Sequence, residues 1–249
     1  MKLAEYLTAA VLLGVTGAQG ALVTYQWTSG FANTGSIPDN DPSGWQDTRS
    51  ITSFGGGGEW QITDLNVTLH LSGGYNGDLY GYLVHDSGFV VLLNRIGVTT
   101  GNPVGYLNPG MNVTFDDAAS TDIHSHGTLP GVVTGAWQPD GRTTHPTVVL
   151  ATDPRTTALA AFNGLDPNGL WTLAMQDLSF GGSSQVVSWG LEITAVPEPA
   201  TLALGVFGAL AVGGVTTRRL TRRLSASSTR QIISTPSQPP EREPDSPNQ

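Results

Sequence analysis

Residues 61–71, QITDLNVTLHL, decide the fold class. Val67, Leu69 and Leu71 fall on one side and Asn66, Thr68 and His70 on the other, which is the two-residue period of a half-buried strand. Ser72-Gly73-Gly74 ends the run, and Tyr75-Asn76-Gly77-Asp78 leads into an apolar stretch over 79–84. Asp86-Ser87-Gly88 closes that stretch before another apolar one over 89–93, a spacing that predicts antiparallel strands. Further strands are predicted over 112–115, 147–150, 170–176 and 186–193. In the last of these Val187, Trp189, Leu191 and Ile193 alternate with Ser188, Gly190 and Glu192. No amphipathic helix shows in this region, and 97–110 and 120–147 read as long loops. Many short strands joined by Gly, Pro, Asn and Asp turns predict an all-β sandwich or jelly roll, and the lack of a fixed repeat argues against a propeller or solenoid.

Composition agrees with one turn-rich β domain. The chain has 249 residues, of which about 175 remain for a core once the terminal segments are set aside. Charged residues are only 12%, against a usual ~25%. Between positions 21 and 196 there are four Arg, no Lys and fifteen Asp or Glu, which argues against nucleic acid as a partner. The absence of cysteine excludes a disulfide framework, a thiolate zinc site and a cysteine nucleophile.

The two ends read as addresses. Lys2, an apolar stretch over 7–15 and the small residues Ala18 and Gly20 form a secretory signal over 1–20, whose helix is too short for an ordinary membrane span. Export by the Sec machinery and a cut after Gly20 would leave a mature chain beginning at Ala21, with 21–36 as an N-terminal segment. Near the other end Val196-Pro197-Glu198-Pro199 precedes an apolar run that predicts a transmembrane helix over 200–217, followed by Arg218, Arg219, Arg222 and Arg223. By the positive-inside rule these arginines lie on the cytoplasmic side and the domain faces outward. Residues 225–249, rich in Ser, Pro and Gln, read as a disordered tail.

The order of motif, span and basic cluster over 196–224 resembles the PEP-CTERM sorting signal of Gram-negative bacteria. That resemblance implies a transient inner-membrane anchor and processing by an exosortase at the Pro-Glu-Pro segment. The destination it implies is the cell surface or the exopolysaccharide matrix. The tail beyond the arginines is a departure from that pattern.

A second resemblance rests on five ordered motifs. They are Ile37-Pro38-Asp39-Asn40; Gly77-Asp78-Leu79; Phe115-Asp116-Asp117-Ala118-Ala119; Gly169-Leu170-Trp171-Thr172-Leu173 with Asp177; and Ser188-Trp189-Gly190-Leu191. Together they resemble the P domain (P/Homo B domain) of proprotein convertases over roughly 37–194. The resemblance implies a galactose-binding-like jelly roll and a supporting role beside a subtilisin-like protease, with no peptidase chemistry of its own. In the residues themselves, Gly77-Asp78 suits a turn needing positive φ or an Asx-type bond, and Trp171 and Trp189 suit a core.

Chemistry is sparse. No G-x-S-x-G elbow accompanies the Ser, His and Asp residues, and the glycine run at 55–58 lacks the Lys-Ser/Thr partner of a phosphate loop. His124-Ser125-His126 has the spacing of some metal sites, but no third ligand is identifiable and the segment reads as a solvated loop. Asp116, Asp117 and Asp122 cluster at a strand-to-loop junction, where they read either as Ca²⁺ ligands or as turn caps. Tyr75, Tyr106 and Trp137 are the aromatics placed to stack on pyranose rings if the domain binds surface polysaccharide.

Overall fold

The computed structural model describes residues 20–55, 60–127 and 129–198. The predicted signal up to residue 19, Pro199, the predicted membrane segment, the arginine cluster and the tail lie outside these described residues. Among the described residues ten strands run in chain order: β1 (Ala21–Trp27), β2 (Ser36–Ile37), β3 (Asp41–Ile51), β4 (Trp60–Gly73), β5 (Leu79–His85), β6 (Gly88–Asn94), β7 (Gly110–Phe115), β8 (Val133–Trp137), β9 (Gly169–Asp177) and β10 (Ser184–Pro197). They form two sheets, one ordered β1-β10-β4-β7-β8 with β2 also on β10, the other ordered β3-β9-β5-β6. Every pairing is antiparallel except β7 with β8. Among the described residues the helical elements are short 3-10 turns.

The alternation in residues 61–71 is realised in β4, where Val67, Leu69 and Leu71 are buried in the shared core. Burying a side chain of this size contributes about 1.5–3 kcal/mol. Trp171 and Trp189 are buried completely, and each indole finds an acceptor: Trp171 Nε1 donates to the Pro167 carbonyl at 3.0 Å and Trp189 Nε1 to Asp47 Oδ2 at 2.7 Å.

Several strands differ from the sequence expectation. Val187 is the unpaired extra residue of a bulge, because Val186 pairs with Leu71 and Ser188 with His70; Val186 is buried and Val187 faces out. A second bulge leaves Thr63 unpaired between Ile62 and Asp64, and its hydroxyl donates to the Thr194 carbonyl. Residues 147–150 form a turn, not a strand: Val148 N donates to the His145 carbonyl, Thr147 N to His145 Nδ1 and Leu150 N to Asp153 Oδ2. The expected loop over 120–147 contains β8, in which Gly135 at φ +105 obscures any apolar period. Residues 21–36 are not merely a leading segment, since they supply β1, which pairs along β10 from Ala21↔Ala195 to Trp27↔Trp189.

Candidate functional site

Three of the motifs quoted above meet where strands of both sheets turn. Asp39 sits in the turn between β2 and β3, Asp78 closes a 3-10 turn, Asn76–Asp78, ahead of β5, and Asp177 ends β9. Strand register brings them together, because Asp177 is the cross-strand partner of both Leu79 and Asp41. Leu178 N donates to the Asp78 carbonyl at 2.9 Å, which locks the two turns together. Gly77 serves this junction by its size. An added Cβ would lie 2.4 Å from the Val104 carbonyl oxygen, and its amide donates to the Tyr106 carbonyl at 2.8 Å. The requirement at Gly77 is thus close backbone approach, and the positive φ that is one of the two alternatives read from Gly77-Asp78 is not used.

Two of the three carboxylates, Asp78 and Asp177, are buried, while Asp39 is exposed. Asp177 is fully buried; its Oδ1 accepts from Ser179 N at 3.3 Å, while Oδ2 has no hydrogen-bond partner among the described residues. Burial pushes the Asp177 carboxyl up to about 6; the Ser179 amide and Arg95 oppose this, and the negative charges of Asp78 and Asp39 add to it. Burial likewise raises Asp78, against the charge of Arg95 and a hydrogen bond from the Ser179 side chain. Asp39 accepts from Gly181 N at 3.2 Å. Arg95 carries the nearby positive charge, and its Nε donates to the Gly77 carbonyl at 3.2 Å. Two more buried oxygens have no partner among the described residues: Asn76 Oδ1, in the 3-10 turn that Asp78 closes, and Ser184 Oγ, on the first residue of β10.

A second polar cluster lies one residue away along the chain from Arg95. Asp140, fully buried, accepts from His124 Nδ1 at 2.7 Å and Asn94 N at 3.2 Å through Oδ2, and from Arg142 N and Nη1 through Oδ1. Arg142 Nη1 also reaches Asp122 at 3.3 Å, and Nη2 donates to the Ala151 carbonyl. Arg155 clamps the backbone carbonyls of Pro139 and Asp140. The His124–Asp140 pair has the form of a base and its orienting acid, but His124 Nε2 faces the Val98 carbonyl at 3.2 Å and no nucleophile is bonded to it. His124 and His126 are both buried, a correction to the solvated loop expected from the sequence. His126 packs at 4.0 Å on the Tyr106 ring with neither ring nitrogen hydrogen-bonded, and burial lowers its pKa.

The residues singled out from the sequence are distributed as follows. Asp116 Oδ1 accepts from Ala118 N at 2.7 Å, Asp117 accepts from Leu159 N and Ala160 N, and Asp122 pairs with Arg142, so the three point to three different partners. Among the described residues no three His, Cys, Asp or Glu side chains are grouped to hold a metal. Tyr75 is exposed, Tyr106 has Gly97 and His126 against its ring, and Trp137 donates through Nε1 to the Thr134 carbonyl at 3.0 Å. Val196 and Pro197 end β10, and Glu198 accepts from Gln61 Nε2 at 3.3 Å. Sequence reading missed the Asp39, Asp78 and Asp177 cluster as a site, although each residue lay in a quoted motif; the signal was three acidic motifs at three turns.

No family model matches the chain, and no curated protein matches it. Among solved structures it is similar to a serine protease of Aeromonas sobria, at 16% identity and a TM-score of 0.39, covering 70% of this chain and 27% of that one. It is also similar to the same Aeromonas sobria protease in complex with a chaperone, at 16% identity and a TM-score of 0.38, covering 72% of this chain and 27% of that one. The chain spans about a quarter of the length of either structure, 27% in both cases.

Proposed function

We propose that the chain is an exported, P-domain-like jelly roll with a non-catalytic role at the cell surface or in the exopolysaccharide matrix. Its C-terminal segment anchors it in the inner membrane until an exosortase cuts near Pro197-Glu198-Pro199. The observation that carries this reading is the pairing of the first and last strands. Ala21 is the register partner of Ala195, so the expected cut after Gly20 falls just before the first strand, beside the end of the last one, whose final residues Val196 and Pro197 open the Pro-Glu-Pro segment. A cut after Gly20 and one beyond Pro197 would leave the strand pairing intact.

Intact mass spectrometry of the protein from membrane and extracellular fractions of its native host tests this. A released species running from near Ala21 to residues 197–199 is expected. A membrane species that keeps residue 249, with no released form, would replace the exosortase reading with a permanent single-span anchor. Two other roles are read from the same assay series. Polysaccharide binding would show as glycan retention lost on Tyr75→Ala, Tyr75 being the most exposed of the three aromatics named above. An accessory role beside a separate subtilisin-like protease would show as co-purification with that enzyme.

A further inference from the structure

The acidic turns described above bury two carboxylates, Asp78 and Asp177, beside a single arginine, and leave acceptor oxygens without donors among the described residues. Asp177 Oδ2 is the decisive atom, a carboxylate oxygen on a fully buried residue with no hydrogen-bond partner among the described residues. An orphaned acceptor of that kind costs free energy unless something positive occupies the space beside it. Asn76 Oδ1, buried and unpartnered among the described residues in the turn that Asp78 closes, adds a neutral oxygen. With Asp78 and Asp177 ionised, Arg95 compensates one of two buried negative charges, and its Nε is already bonded to the Gly77 carbonyl; Asp39 is exposed to solvent. Asp41, across from Asp177, is engaged by Ser43 N at 2.8 Å and adds no cation.

We infer that Asp177 and Asp78 bind a divalent cation of the calcium type, completed by neutral oxygens of the surrounding turns and by the charge of Asp39. Calcium accepts six to eight oxygens in flexible geometry, and carboxylates, carbonyls and amide oxygens all serve. Such a set does not require three acidic side chains gathered around one point, and here Asp39 is held by the Gly181 amide, leaving two carboxylates as the direct ligands. Magnesium is disfavoured because it needs near-ideal octahedral geometry and gives up water reluctantly. The cation would tie the turns ahead of β3 and β5 to the end of β9, joining residues from 39 to 177. The inference is independent of the sorting role proposed above, and it concerns carboxylates other than Asp116, Asp117 and Asp122.

Thermal unfolding of the full chain in detergent, in EDTA and across a CaCl₂ series at pH 7.5, tests it. The expected result is a rise in Tm of about 3–5 °C for each tenfold increase in Ca²⁺ beyond saturation, from ordinary ligand linkage. That rise is lost in Asp177→Asn and Asp78→Asn and kept in Asp116→Asn. In EDTA the Asp177→Asn variant melts at or above the unsubstituted protein, which separates loss of binding from loss of folding. No Ca²⁺-dependent rise in the unsubstituted protein would overturn the inference. So would a rise that survives in Asp177→Asn, or an Asp177→Asn protein that melts lower than its parent in EDTA.

Discussion

Asn94 and Arg95 are neighbours at the end of β6, and they serve two carboxylate clusters with opposite character. Asn94 donates its amide to Asp140, which also receives His124 and Arg142 and so is saturated with donors. Arg95 faces Asp78 and Asp177, where one buried carboxylate oxygen is left without any donor. Both clusters bury acids and both leave polar atoms unpaired among the described residues, Asn94 Oδ1 and Arg142 Nε beside Asp140, but both carboxylate oxygens of Asp140 have donors while one of Asp177 has none. The comparison shows that burial alone does not mark a functional carboxylate; the balance between acceptors and donors around it does.

The comparison breaks most visibly at Asp140. Replacing it with Ala leaves His124 and Arg142 buried without their shared acceptor, and removing one partner of a buried ionic network costs about 3–5 kcal/mol. A urea titration of Asp140→Ala checks this, and a loss below ~1 kcal/mol would mean that the network is dispensable. At Asp177 the expected sign is reversed. Its folded pKa of about 6 lies above the unfolded value near 3.8, so the folded state holds the proton more tightly. In EDTA the resulting stability is fully present below about pH 4 and is lost as pH rises through 6, up to about 3 kcal/mol in all. Asp177→Asn should flatten that slope, and unfolding measured at pH 4.5 and 7.5 tests it. Asp117→Ala removes an acceptor shared by Leu159 N and Ala160 N and should cost about 1–2 kcal/mol. The smallest effect is expected at Asp116→Ala, below ~1 kcal/mol, because one amide on an exposed turn can bond water instead.

Much of the fold was legible because the strands carry their period openly. Val67, Leu69 and Leu71 in β4, and Trp189, Leu191 and Ile193 in β10, alternate as a half-buried strand must. What could not be read were the bulges, which shift the inward face at Val186 and Thr63 without any change of composition. Residues 147–150 look strand-like because Val148, Val149 and Leu150 are apolar, yet His145 and Asp153 cap the backbone into a turn. β8 was hidden for the opposite reason, since Val-Thr-Gly-Ala-Trp offers no alternation and its parallel partner β7 provides the ladder.

The site was less legible. Asp116-Asp117 attracts attention as an adjacent acidic pair, but each carboxylate is spent on backbone amides. Asp39, Asp78 and Asp177 are scattered singly along the chain, and only the register of β3 and β5 on β9 brings their turns together. Which buried oxygen lacks a donor is a property of the packed turns and leaves no mark on the sequence.

Carboxyl ¹³C NMR of Asp177, followed through a pH titration in EDTA and again with Ca²⁺, tests the difference between the two clusters most directly. A metal-free midpoint near 6 that falls when Ca²⁺ is added is the predicted result. A midpoint near 4, unchanged by Ca²⁺, would show that Asp177 is as well satisfied as any surface carboxylate and would contradict the account.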